Sequence, residues 1–414
     1  MTRRRVLLLL LDNWHGVARL PAALRDADFE VGLASESHFF AAKSRFVDRH
    51  YPISMRAVRM GKLQLVWDAI TDFAPDFVIP ADEHAVRFVQ FVLAEGERFR
   101  LPSAVRRVLQ RSVGHVPEPN PIGRRWRMLE LAGALGFDIP VHAVAPSTVE
   151  AEKFAQHHGW PIYLKRDHSS GGYWVRRADD RAELADAYRY LSGISHPLLS
   201  PEGLAGLPKR VLKTYVFRNS PITLPKSEMT ITVEAMVAGE PAYHTAVAVD
   251  GQYLTGISAE VEDFYPKPTG PSTRVRLHGD REMERIASGL VKALGFTGFF
   301  GLDFIRRPDG GLTFLEFNAR PTPVAHLGGL IGADLCQALH GALDGAAPPP
   351  APSTAQVSVA LFPQDWRRTE GTPDRSGFLL DIPRGDPALL EAFSPVLPAG
   401  WDVPAPQTRC GVSV

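Results

Sequence analysis

The 414-residue chain has only two cysteines, Cys336 and Cys410. They cannot build a disulfide framework and lack metal-ligand spacing, so a reduced, cytoplasmic setting is expected. Net charge is also missing, with 46 Lys and Arg against 46 Asp and Glu. No basic stripe of the kind a nucleic-acid backbone demands is evident, and DNA or RNA is not expected as a partner. Long apolar runs are absent too. The run Val6–Leu11 ends at Asp12 and carries no small-residue cleavage pattern, so it reads as a buried strand rather than a leader. Nothing approaches the roughly 20 apolar residues that span a bilayer, so no membrane partner is expected. Neither a G-x-x-x-x-G-K-[ST] loop nor a G-x-G-x-x-G fingerprint is present, which removes the two commonest phosphate-binding loops. No internal repeat is seen.

What is there is ordinary in bulk and specific in pattern. The hydrophobic share of 45% and charged share of 22% fit a globular chain. The length exceeds one compact core and calls for two or three domains. Residues 1–116 alternate strand-like runs (RVLLLL, FEVGLAS, PDFVIPAD) with helical patterns (VARLPAALRDA, LQLVWDAITDF). That alternation predicts a doubly wound α/β domain on a parallel sheet. Its crevice belongs at the strand C-termini, near Asp12–His15 and Asp82–His84. The proline-rich PEPNPIG opens a second, α+β domain over 117–344, with a lid subdomain at about 140–212. GAAPPPAPST, residues 345–354, reads as a linker, and 355–414 as a small C-terminal unit with VSVALFP as a strand.

The chemistry concentrates in GLDFIRRPDGGLTFLEFNARPTP, residues 301–323. Asp309-Gly310 is a hairpin signal. With Pro308 facing Gly311, Asp303 lies opposite Glu316, and alternation puts Asn318 on the same face. Leu302, Phe304, Leu315 and Phe317 then fill the other face. Two facing carboxylates repel unless a cation joins them, and an all-oxygen set favours Mg²⁺ or Mn²⁺. The bland alternative is that one carboxylate pairs with Arg306 or Arg320 and no metal binds. A second feature is WPIYLKRDHSSGGYWV, where Lys165 closes an apolar strand before the loop Ser169, Ser170, Gly171, Gly172. Such a loop can lay backbone N–H groups on phosphates, with Lys165 as a point charge, although a plain turn is the commoner use.

Taken together, Lys165 before a Ser/Gly loop, a β-rich middle and the G-x-D-F…E-x-N-x-R segment resemble the ATP-grasp superfamily, over roughly residues 1–340. The first domain is similar to the one that precedes ATP-grasp domains in biotin carboxylase, carbamoyl phosphate synthetase and purine-pathway ligases. The resemblance implies two α+β subdomains clasping ATP, with Asp303, Glu316 and Asn318 holding Mg²⁺. Lys165 then holds phosphates under the Ser169–Gly172 lid, and Arg320 faces the acid substrate or acyl phosphate. VLKTYVF resembles the adenine hinge, which places Lys213, Tyr215 and Val216 near the base and Glu228 near the ribose. The family's usual first lysine is missing; Arg125 fills its slot, with Arg124 as the alternative. The implied reaction is ADP-forming ligation of a small-molecule carboxylate to an amine, by a protein that can be a homodimer. A carboxyphosphate-type carboxylase and a non-catalytic ATP-binding regulator are the alternatives. His326 is a candidate for the acid pocket, whereas His15, His84 and His244 have no constellation around them.

Overall fold

The computed structural model describes residues 3–54, 59–167, 174–192, 230–266, 270–350, 355–367 and 374–398. The N-terminal run forms β1 (Arg5–Leu9), β2 (Glu30–Ser35), β3 (Arg49–Pro52) and β4 (Phe77–Pro80), in the parallel order β3-β2-β1-β4. Helices α1 (Leu20–Asp26), α2 (Arg59–Phe73), α3 (Glu83–Ala94) and α4 (Ser103–Val113) accompany it. The β1 run is apolar because both sheet faces are covered: Val6 and Leu8 enter one buried cluster, Leu7 and Leu9 another. The edge strand β3, RHYP, was not expected, since an edge strand with polar residues leaves no apolar run to read. PDFVIPAD is strand only to Pro80; Asp82 instead caps α3, accepting from the amides of Ala85, Leu11 and Asp12. That cap ties the ends of β1 and β4 together at the crevice.

Helix α5 (Arg125–Ala134) follows and is stopped before Gly136, whose φ is +79°. A second sheet is built from β5 (His142–Val144), β6 (Ile162–Arg166), β7 (Val175–Ala178) and β8 (Ile231–Ala235), all antiparallel, in the order β5-β8-β6-β7. It packs on α6 (Thr148–His158) and α7 (Arg181–Leu191) around a cluster of its own, including Phe154, Leu164, Leu184 and Val233.

The central sheet has seven strands. In chain order they are β9 (Glu240–Val249), β10 (Gln252–Phe264), β11 (Ser272–His278), β12 (Gly298–Arg306), β13 (Leu312–Asn318), β14 (Val357–Leu361) and β15 (Leu379–Asp381). They run in the order β13-β12-β9-β10-β11-β14-β15. The pairing of β10 with β11 carries bulges between Val261 and Phe264. Residues of the C-terminal part, β14 and β15, lengthen this sheet along β11. Helices α8 (Arg281–Leu294), α9 (Leu335–Leu343) and α10 (Pro387–Phe393) complete the described elements. One sheet face, with Val247, Val275 and Phe299, shares a core with Val6, Leu8 and Val31 of the first sheet. The other, with Phe300, Leu302, Phe304, Phe314 and Phe317, packs on α5 and α8.

The β12–β13 register corrects the expected turn. Arg307, not Pro308, faces Gly311, a shift of one residue. Yet Asp303 still lies opposite Glu316, and Gly301 opposite Asn318, because a bulge falls between Asp303 and Phe304 and leaves Leu315 as the extra residue. Phe314 and Phe317 both enter the core on α5 and α8, and strict alternation would send them to opposite faces. The bulge resolves that conflict. Leu315 is accordingly half-buried rather than part of the apolar wall.

Candidate active site

The carboxylate row begins on β12 and β13. Asn318 donates its amide to Asp303 Oδ2 at 3.1 Å, and Glu316 Oε2 accepts from Arg125 Nη2 at 2.7 Å. Burial first, and then the Glu316 charge, push Asp303 up to about 6. A carboxylate strained in this way gains from a cation, so the donor set fits one. Among the described residues no group of three or more His, Cys, Asp or Glu has metal-holding spacing; the candidate set here is two carboxylates and an amide. Arg306 is not their partner, since it pairs with Glu260 and Asp280.

Opposite this row stand two buried cations. Arg125, the first residue of α5, also donates through Nη1 to the Leu315 carbonyl at 3.1 Å, a carbonyl that lies in the bulge. Its backbone N–H donates to Asp167 Oδ1, which fixes the helix start against the end of β6. Burial works against its charge, but Glu316, Glu234 and Asp303 together hold it raised. Lys165, on β6, bonds to Glu234 Oε2 on β8 at 2.5 Å, and Glu234 Oε1 lies 3.6 Å from Arg125 Nη1. Burial lowers Lys165, with Glu234 opposing. The four groups Lys165, Glu234, Arg125 and Glu316 thus form a continuous chain from the second sheet to the central sheet.

Arg320 stacks on Trp14, its guanidinium carbon 4.4 Å from the ring centroid. Its Nη2 donates to Asn318 Oδ1 at 3.3 Å. Several buried polar atoms around this cleft have no hydrogen-bond partner among the described residues: Arg125 Nε, Glu234 Oε1, Thr232 Oγ1, Arg320 Nε and Thr322 Oγ1. Unpartnered atoms of this kind also occur elsewhere among the described residues, but here Arg125 Nε and Glu234 Oε1 belong to the charged chain itself and could meet a polar ligand.

Asp303, Glu316, Asn318, Arg320, Lys165 and Arg125 are therefore brought together. Ser169, Ser170, Gly171, Gly172, Lys213, Tyr215, Val216 and Glu228 lie outside the described residues. His326 is placed otherwise than expected: its Nε2 bonds Asp381 on β15 at 2.9 Å, at the edge of the central sheet opposite to β13. His244 is a satisfied core residue, bonded to the hydroxyls of Ser258 and Tyr253. The sequence reading missed Glu234, which sits inside the strand-like run TITVEAM; Trp14 and Glu83 fall within the two stretches expected at the crevice, though without roles of their own. A carboxylate two residues into an apolar alternation was the available signal for Glu234.

Residues 226–324 match the family model of an ATP-grasp domain. A D-alanine–D-alanine ligase of Stutzerimonas stutzeri (strain A1501) is 26% identical over 204 residues, which are 49% of this chain and 56% of that relative. The chain thus spans about half the length of that curated protein. Biotin carboxylase of Campylobacter jejuni superposes with a TM-score of 0.60 at 13% identity, covering 86% of this chain and 75% of that one. An L-amino acid ligase of Bacillus licheniformis gives a TM-score of 0.51 at 16% identity, covering 83% and 75%. At such identities the solved structures speak for the shared fold.

Proposed function

We propose that the chain, whose residues 226–324 match the model of an ATP-grasp domain, is an ATP-dependent carbon–nitrogen ligase. It transfers the γ-phosphate of ATP to a small-molecule carboxylate, releases ADP, and joins the acyl phosphate to an amine in the cytoplasm. The observation that carries this reading is the row Asp303, Glu316 and Asn318 set against the buried cations Arg125 and Lys165.

Phosphoryl transfer needs positioning and charge neutralisation more than covalent help. A magnesium or manganese ion held by Asp303, Glu316 and Asn318 would neutralise phosphate oxygens as charge shifts. Lys165 presents a point charge to the phosphates, and Glu234 holds its ammonium in place. Arg125 offers a planar fork, suited to two oxygens at once. Arg320, held over the Trp14 ring, orients the carboxylate for attack and then meets the oxyanion of the tetrahedral intermediate. Burial around these groups excludes water, which an acyl phosphate requires. The retained cations and carboxylates favour an active enzyme over an idle regulator.

Incubating the protein with ATP, Mg²⁺ and pooled carboxylates and amines tests this. The expected outcome is ADP release that requires a carboxylate, with an amide found by mass. AMP in place of ADP would sink the acyl-phosphate route, and ADP release without any acid would indicate a kinase or ATPase.

A further inference from the structure

We propose, resting on the ligase reading above, that Glu83 forms the amine subsite: its carboxylate receives the incoming ammonium and takes a proton from it before attack. The cavity beside the metal row is lined by Glu83, Arg124, Arg125, Arg166, Glu316 and Asn318. Glu316 and Asn318 belong to the metal face, and the arginines suit phosphates and the acid. Glu83 is the remaining carboxylate among the described lining residues, and the one group there that suits a cation. It comes from the first domain, as the opening residue of α3, and the Asp82 cap on three backbone amides holds that helix start rigidly.

A bland role, neutralising Arg320, is poorly met. Glu83 Oε2 stands 3.9 Å from Arg320 Nε, a long ion pair rather than a hydrogen bond, and that Nε is buried with no hydrogen-bond partner. So loose a contact leaves the Glu83 carboxylate with acceptor capacity for a further donor. Burial pushes Glu83 up to about 7, against the pull of Arg320 and with some help from Glu316. A carboxyl in that range exchanges protons efficiently near neutral pH.

The step balances as follows. One ammonium proton passes to the Glu83 carboxylate, leaving a neutral amine and a carboxylic acid. The nitrogen lone pair attacks the acyl carbon, the C–N bond forms, and the carbon–oxygen bond to phosphate breaks with its electrons on phosphate. The second proton shed by nitrogen leaves with phosphate, and Glu83 returns its own to solvent.

The test is a competition between the amine substrate and hydroxylamine, which is largely neutral at pH 7 and needs no deprotonation. In Glu83→Gln the amide-to-hydroxamate ratio should fall on the order of 100-fold, and Glu83→Asp should recover part of it. An unchanged ratio in Glu83→Gln would overturn the assignment, as would loss of both products in equal measure from a variant that still gains thermal stability with MgATP. If Glu83→Gln does not fold, the ratio in Glu83→Asp decides in the same way. Wild-type protein that forms neither product would instead remove the ligase reading itself, and this inference with it.

Discussion

Lys165 and Glu234 are 8% and 2% exposed, and each is the other's closest opposite charge. A buried ion loses far more when its partner is removed than the pair gains when formed. Glu234→Ala should therefore destabilise by about 3–5 kcal/mol, and the double variant with Lys165→Met should recover part of that loss in a denaturant titration. Both variants should raise the KM for ATP. His244 makes a second residue-scale case. Burial pushes it down to about 3, against an ordinary value near 6.5. Between those values the unfolded chain binds a proton that the folded chain refuses, so stability falls as pH drops from about 6.5 towards 3. Melting points across that window should decline more steeply for wild type than for His244→Phe; equal slopes would refute the point. Lys165, Asp303, Glu316 and Asn318 were legible because the sequence pattern names them. Glu234 was not, and Glu83 was legible only as part of the crevice stretch 82–84, because their meaning depends on which neighbours a fold brings to them.

At the scale of the element, the hairpin β12–β13 carries the site through a compromise between two periodicities. Phe314 and Phe317 must both enter the core on α5 and α8, and the bulge at Leu315 lets Glu316 remain across from Asp303. The same bulge places the Leu315 carbonyl against Arg125. The reading from the sequence reached the correct pair through a turn placed one residue off, since period-two alternation contains no bulge. Inserting Ala between Leu315 and Glu316 should turn Glu316 towards the apolar face. That variant should lose both ADP formation and the thermal shift caused by MgATP. Inserting Gly after Gly310, in the exposed turn where φ is +85°, should leave both nearly intact. Equal loss in the two insertions would show that the register is not what matters.

At the scale of the whole molecule, the cores are unequally joined. Residues of β1 and β2 and of the central sheet share one buried cluster, so those two sheets should melt together. The C-terminal strands are fastened to them by Arg19–Asp381, His326–Asp381 and Ser44–Asp386, which composition and linker-like prolines gave no means of foreseeing. The second sheet, β5–β8, has a separate cluster and meets the rest of the described residues largely through polar groups: Lys165, Glu234, Arg125, Glu316 and the Asp167 contact with the Arg125 amide. Local stability follows such divisions, so β6 and β8 should exchange their amide hydrogens faster than β1 and β12. A ligand held between the second and the central sheet binds only while both are folded, and it should raise that protection by mass action. With saturating MgATP, exchange in β6 and β8 should slow by at least about tenfold, a change of roughly 1.4 kcal/mol, while β1 and β2 change little. Uniform slowing across all three sheets, or none in β6 and β8, would place the nucleotide outside this cleft.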